Sequence, residues 1–177
     1  MSVRGRIETP TLTQAEARRL WHYDPNTGAL TWRTRPNGRV PAGSIAGKIQ
    51  VRTKSGFYKK THVIWLWVKG YWPDFEIDHR NRNATDNRWV NLRRATVSQN
   101  NANKGLQKNN KSGFKGVYKE SDSGKWRAVL KFNKTTIHLG RFEVAEEAAR
   151  AYDKAAKEHH GEFAFLNFPE EHLDVGH

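Results

Sequence analysis

The stretch EIDHRNRNATDNRWVNLRRATVSQNNANKG, residues 76–105, sets an acid beside a histidine and follows the pair with a crowd of asparagines. Phe75 to Asp78 reads as a strand and Trp89 to Arg93 as its antiparallel return, with the polar loop Arg80 to Arg88 between them. Thr96-Val97-Ser98-Gln99 is capping-box chemistry, so Asn100 falls in the first turns of a helix that runs to about Lys104 and stops at Gly105. The order is strand, loop, strand, helix. Neighbouring residues of a regular strand point to opposite faces, so Asp78 and His79 converge only if the strand ends at Asp78 and His79 begins the loop. Asn91, expected on the second strand, is placed to tie the loop's backbone through its amide.

The chain around this stretch is very basic. Its 177 residues hold 31 Lys and Arg against 18 Asp and Glu, a net charge of +13, with a hydrophobic fraction of only 36%. Several small cores are therefore expected rather than one large one. The charge is segregated: residues 1–104 carry +12, residues 105–142 carry +7 and residues 143–177 carry −6. Such an excess calls for a polyanion, because cationic side chains that neutralise phosphates release condensed counterions. The absence of Cys excludes disulfides and thiolate metal sites. The opening MSVRGRIETP has no apolar segment of the export type and no run suits a membrane span, so a cytoplasmic protein is expected.

The pattern along the chain is α+β. Thr13-Gln14-Ala15-Glu16 opens a short helix with Ala17, Leu20 and Trp21 on one face. Turn chemistry follows at Asp24-Pro25-Asn26-Thr27-Gly28 and at Pro36-Asn37-Gly38, with strand-like Ala29 to Trp32 between them. Short β segments are expected over about 48–60, and a helix capped by Thr61 runs to Gly70. His62, Trp65 and Trp67 read as packing residues. Residues 1–72 thus form a small α+β lead-in, 73–105 the strand-loop-strand-helix motif, 106–112 a linker, 113–169 a second module and 170–177 a tail.

In the second module, Lys125 to Phe132 alternate. Trp126, Ala128, Leu130 and Phe132 form a dry face, while Lys125, Arg127, Val129 and Lys131 face outward. Ile137 and Leu139 continue the dry face on the next strand, with Thr136 and His138 outside. From 145 to 159 a helical apolar stripe ends at Gly161, which predicts a three-stranded antiparallel sheet packed on one helix, with Phe163, Phe165 and Phe168 closing its edges. Glu146, Glu147, Asp153 and Glu158 are expected on the helix's outer side, where they would repel phosphate and keep the helix out of a DNA groove.

Hydrolysing a phosphodiester requires a base for the attacking water, neutralisation of charge on the phosphate and help for the departing oxygen. His79 suits the base, since an imidazole of unperturbed pKa about 6.5 is mostly neutral near pH 7. Asp78 offers a hard oxygen ligand and the Asn100 amide oxygen a second, with Asn101 and Asn103 as rival ligands. Oxygen donors favour Mg²⁺ or Mn²⁺, one per site, over Zn²⁺. Asp86 stands apart in the loop and reads as solvated.

Asp78-His79, Val90-Asn91-Leu92 and Ser98-Gln99-Asn100-Asn101 together resemble the HNH nuclease family, whose ββα-metal fold has this order of elements. In particular they resemble the homing-type, phage and intron-encoded branch, in which the last histidine is replaced by asparagine. The resemblance implies His79 as general base, Asp78 and Asn100 as metal ligands, Asn91 as the orienting asparagine, and a phage or bacterial host cell as the setting. The lead-in through Thr61-His62 and Trp65 resembles the same branch, except that Val63 stands where arginine is expected.

Gly113 to Tyr118, Gly124 to Ala128, His138 to Phe142, Ala148 to Asp153 and Leu166 to Pro169 resemble, in order, the plant APETALA/ethylene-response-factor DNA-binding domain. That family lays its sheet in the major groove of double-stranded DNA. The resemblance implies contact positions at Lys115, Tyr118, Lys125, Lys131 and His138, with Arg127 on the same face. Several of these are Arg or Trp in the plant proteins, and Lys cannot make the bidentate guanine contact of Arg. The expected activity is metal-dependent cleavage of DNA as a nick or a double-strand break, by a monomer or a homodimer. The alternative is a non-catalytic DNA-binding or regulatory protein with a degenerate nuclease fold.

Overall fold

The computed structural model describes residues 12–35, 38, 40–53 and 56–169. The expected turn at Pro36-Asn37 and the tail from 170 onward lie outside them. The chain divides into two compact units, Met1–Arg94 and Ala95–His177.

In the first unit, Thr13 accepts the Glu16 amide at 3.2 Å and starts α1, Gln14–Leu20. The helix stops one residue before Trp21, which was expected on its apolar face. Trp21–Tyr23 form β1 instead, paired antiparallel with β2, Leu30–Trp32. The turn between them recruits these residues. Asp24 accepts from the Asn26 amide and the Thr27 hydroxyl at 2.9 and 2.7 Å, and Gly28, at φ +74°, closes the loop.

β3 (Gln50–Thr53) and β4 (Gly56–Lys59) make a second hairpin, followed by α2, Lys60–Lys69. The helix begins before Thr61, so Thr61 is not its cap. Buried Lys60 fixes the start by other means: its amide donates to Ile49 O at 2.8 Å and its ammonium to Gly47 O at 3.0 Å. Gly70 ends the helix in the left-handed region, as its position predicts. Trp21, Tyr23, Leu30, Val51, Val63 and Ile64 fill one core, with Ile77 and Leu92 at its edge. The last two belong to β5 (Glu76–His79) and β6 (Leu92–Ala95), which pair with each other. Two expectations shift here. His79 is the last residue of its strand, and Asn91 closes a 3-10 turn, Trp89–Asn91, ahead of β6.

The second unit opens with α3, Val97–Asn103, which carries the full Thr96/Gln99 capping box. Ala95 and Ala102 pack with Phe163, which was expected at the edge of the sheet. The Lys115 ammonium donates to the carbonyls of Ala102 and Lys104 at the helix's C-terminal end. The stretch read as a linker is a bonded turn, in which Asn110 accepts from the Gly113 amide and donates to Phe114 O.

The sheet β7 (Val117–Lys119), β8 (Trp126–Phe132) and β9 (Thr135–Phe142) is antiparallel in that order and lies on α4, Ala145–His160. Ala128, Leu130, Ala148, Ala149, Tyr152 and Ala156 form its small cores. Asp153 departs from expectation. It is 2% exposed and accepts from the amides of Asn167 and Phe168 at 2.8 Å, so it ties the C-terminal segment to the helix rather than facing solvent.

The alternation also breaks. Gly140 pairs with Ala128 but His138 with Val129, so Leu139 is an extra residue in β9. Beyond this bulge the phase inverts: Phe142 packs into the core and Arg141 takes the outer face opposite Arg127. Val129, expected outside, is 8% exposed. Gly140 sits at φ +128°, and a Cβ there would stand 3.2 Å from the Phe142 ring. Gly140→Ala is expected to destabilise the second unit by about 1–3 kcal/mol, measured by urea unfolding.

Candidate functional site

β5 brings Asp78 and His79 to the mouth of the 80–91 loop. Asp78 is buried at 4% exposure, and its Oδ2 accepts from Arg93 Nε, on neighbouring β6, at 2.8 Å. His79 is half-buried, with Nε2 3.1 Å from Asn87 Oδ1. The amide of Asn87 is oriented by its other contact, since its Nδ2 donates to Thr85 O at 3.2 Å. The oxygen must then face the ring. An amide oxygen can only accept, so the ring meets Asn87 through Nε2 as donor.

Asn87 is held from behind by the lead-in. Tyr23 donates its hydroxyl to Asn87 O at 2.8 Å, and burial pushes that phenol well above its ordinary range. Pro25 O accepts the Trp89 amide at 3.0 Å. A Cβ on Gly28 would meet Arg88 N at 2.4 Å, so the turn touches the loop at a distance only glycine permits.

Asn91 is the loop's tie. Its Oδ1 accepts from the Asn81 amide at 2.9 Å, and its Nδ2 donates to Asn81 Oδ1 at 2.9 Å and Asp86 O at 2.7 Å. Asp86, expected to be solvated, is gripped by Arg88 Nε and Nη2 at 2.8 and 2.6 Å and by Asn81 Nδ2 at 2.6 Å. Arg88 first, then the loop amides, hold its carboxyl well below the usual range. His62 packs near Trp72, and burial lowers its imidazole's pKa. Val63 is fully buried, which removes that position from contact with any ligand.

Asn100 lies half-buried on α3, where its amide N–H continues the capped turn to Thr96 O at 2.9 Å. Asn101 accepts from Lys104 at 2.8 Å, and Asn103 is buried. Among the described residues, no three His, Asp or Glu side chains gather into a metal cage. A carboxylate and an amide oxygen are both hard donors, of the type that Mg²⁺ and Mn²⁺ take together with water and phosphate.

On the outer face of the second unit's sheet, Tyr118, Lys125, Lys131 and His138 are exposed and Arg127 is partly so. Lys125 pairs with Glu143 at 2.6 Å. Lys115 differs, since its ammonium is turned to α3 and over the Phe165 ring. Four side chains at these sites were not singled out from the sequence: Asn87, Arg93, Arg141 and Glu120. Asn87 was one amide among many. Arg93 becomes visible only through the β5–β6 pairing, and Arg141 only through the bulge. Glu120 was hidden by the assumption that the outer face is uniformly basic.

An acid–histidine pair thus lies on one unit and a sheet with a basic outer face on the other. Residues 58–102 match the HNH endonuclease family and residues 112–162 the AP2 domain. The chain carries an HNH endonuclease domain towards its N-terminus and an AP2 domain at its C-terminus. It is 37% identical over 103 residues to an uncharacterized HNH endonuclease, L560, of Acanthamoeba polyphaga mimivirus, covering 58% of this chain and 52% of that one. It is 43% identical over 68 residues to dehydration-responsive element-binding protein 2A of Arabidopsis thaliana, covering 37% of this chain and 20% of that one. It is 55% identical over 51 residues to ethylene-responsive transcription factor RAP2-11 of the same plant, covering 28% and 20%. The chain thus spans about half the length of the viral relative and a fifth of these plant ones. No solved structure matches it. Among the described residues, no helix is long and apolar enough to cross a membrane.

Removing one partner of a buried ion pair strands the other charge. Arg93→Ala is expected to cost the first unit about 3–5 kcal/mol in denaturant unfolding, far more than Arg88→Ala on the exposed loop.

Proposed function

We propose that the chain is a homing-type DNA endonuclease, in which residues 1 to about 104 cleave and residues 113–169 hold double-stranded DNA through the sheet's outer face. The observation that carries this reading is His79. Its ring is held by the Asn87 amide through Nε2, next to Asp78, within the segment that matches the HNH family.

In the proposed reaction, the His79 imidazole takes a proton from water as the water oxygen bonds to phosphorus. The P–O3′ bond breaks, giving a 5′ phosphate and a 3′ hydroxyl after the leaving oxygen is protonated by solvent. Asn87 holds the ring and stabilises the imidazolium through the Nε2 hydrogen bond. Asn91 keeps the loop backbone in the conformation that presents Asn87. Asp78 and Asn100 would hold one Mg²⁺ or Mn²⁺, which when bound supplies charge neutralisation at the phosphate. Asn100 enters by its spacing and motif. Lys125, Arg127, Lys131, His138 and Tyr118 face the duplex, while Lys115 serves α3. One site per chain cuts one strand, so a monomer nicks and a double-strand break needs a second chain or a second binding event.

The rival reading, a DNA-binding protein whose nuclease fold is degenerate, draws on the Asp78–Arg93 pair, which already neutralises the carboxylate. Supercoiled plasmid separates the two. Cleavage by wild type in Mg²⁺ is expected, abolished by EDTA, reduced at least about a hundredfold in His79→Ala and lost likewise in Asn100→Ala. Asn87→Ala should lower kcat more than KM. If wild type shifts the plasmid on a gel yet leaves it closed with Mg²⁺ and with Mn²⁺, the rival holds.

A further inference from the structure

The sheet that faces DNA in this reading contains a charge cluster that basic alternation does not account for. Tyr118, Arg127 and Arg141 lie in one row across β7, β8 and β9, all on the outer face. Opposed arginines repel at this spacing. Between them sits Glu120, only 10% exposed at its side chain. Its carboxylate accepts from Arg141 Nε at 3.1 Å and from the Ser123 hydroxyl at 2.9 Å, and stands 4.0 Å from Arg127 Nε. The backbone fixes Glu120 as well, through its amide to Lys125 O at 2.9 Å and its carbonyl to Gly124 N at 3.0 Å.

Arg127 Nε is buried, without a hydrogen-bond acceptor, while its side chain remains 43% exposed. Among the described residues, Arg141 is engaged through Nε and is 66% exposed. The Arg141 guanidinium is oriented by its Nε hydrogen bond to Glu120, whereas Arg127 meets the same carboxylate as an ion pair at 4.0 Å, and no hydrogen bond among the described residues takes the terminal amino groups of either. Those amino groups are the ones that grip O6 and N7 of guanine side by side. The other positively charged groups expected on this face are lysines, which are point donors and read no base in this way.

We propose that Arg127 and Arg141 are specificity-determining residues that read guanines in the major groove, and that Glu120 is the positioning residue that orients both. This rests on the DNA-binding half of the proposed function. Fixing a long side chain before binding lowers the entropic cost of contact, and a guanidinium held in plane discriminates by geometry as well as by charge. Glu120 also weakens non-specific attraction to phosphate, so it trades affinity for selectivity.

The test uses the full chain in EDTA, with sites selected from a randomised duplex pool. Affinities are then measured for the selected site and for the same site with each G·C pair changed to A·T. Wild type is expected to prefer G·C at two positions by about tenfold or more at each. Arg127→Lys and Arg141→Lys should each flatten one of them. Glu120→Gln should flatten both while leaving affinity for unrelated duplex equal or higher. Undiminished base preference in Glu120→Gln, or in both lysine variants, would show that the cluster only relieves repulsion within the sheet and overturns the proposal. If Glu120→Gln fails to fold, the lysine variants decide alone. Wild type that binds duplex without G·C preference defeats this inference only, whereas wild type that binds no duplex defeats the DNA-binding reading too.

Discussion

The first unit depends on the contact between the Asp24–Gly28 turn and the backbone of Asn87 and Arg88. A polar loop of a dozen residues cannot keep one fixed geometry by itself, because its amides find water as good a partner as one another. Here the loop is pinned at both ends of its structure. Asn91 gathers residues 81 and 86 from inside, and Tyr23, Pro25 and Gly28 press on residues 87–89 from the lead-in. Tyr23 and Trp21 are themselves fully buried in the aromatic core, so the rigidity of that core passes through one hydroxyl and one side-chain-free position to the amide that orients His79. The lead-in is the support on which the short motif stands.

The second unit obtains its two faces from an irregularity. Strict alternation along β9 would send Arg141 into the alanine-rich core and Phe142 into solvent. The extra residue at Leu139 and the positive φ of Gly140 reverse the phase. Small alanines on α4 let the sheet lie close to the helix, and Asp153 binds the returning chain through three donors from residues 167 and 168. A carboxylate that looked like a solvated charge on an outer face is thus a fully satisfied buried anchor.

What could be read from the sequence follows from the range over which each signal acts. The Thr96/Gln99 box, the Asp24–Gly28 turn, the α4 stripe and the glycine stop after α2 are local, and each appears where the residues place it. The three-stranded sheet on one helix was legible in the second unit because the alternation along β8 and the start of β9 is local, while the bulge that inverts its phase was not. Signals that need a partner distant in the chain were not legible. Asn87 resembles six neighbouring amides until Tyr23 and His79 close on it. Thr61 is good capping chemistry, yet Lys60 overrides it through carbonyls of residues 47 and 49. Asp86 reads as exposed until Arg88 folds back on it.

Both units use carboxylate–guanidinium contacts, but the surroundings give those contacts different meanings. Asp78 and Arg93 are almost fully buried, at 5% and 7% side-chain exposure, where either charge alone would carry a large desolvation penalty. Their pairing is a requirement of the fold once one of them is present. Glu120 and Arg141 meet at a surface where the arginine is 66% exposed, and an ion pair there contributes little to stability. A carboxylate set into a cationic surface also weakens that surface's attraction for polyanions. Stability gives no strong reason for Glu120, and the proposal that it positions Arg141 and Arg127 assigns it a role that the exposed ion pair alone does not.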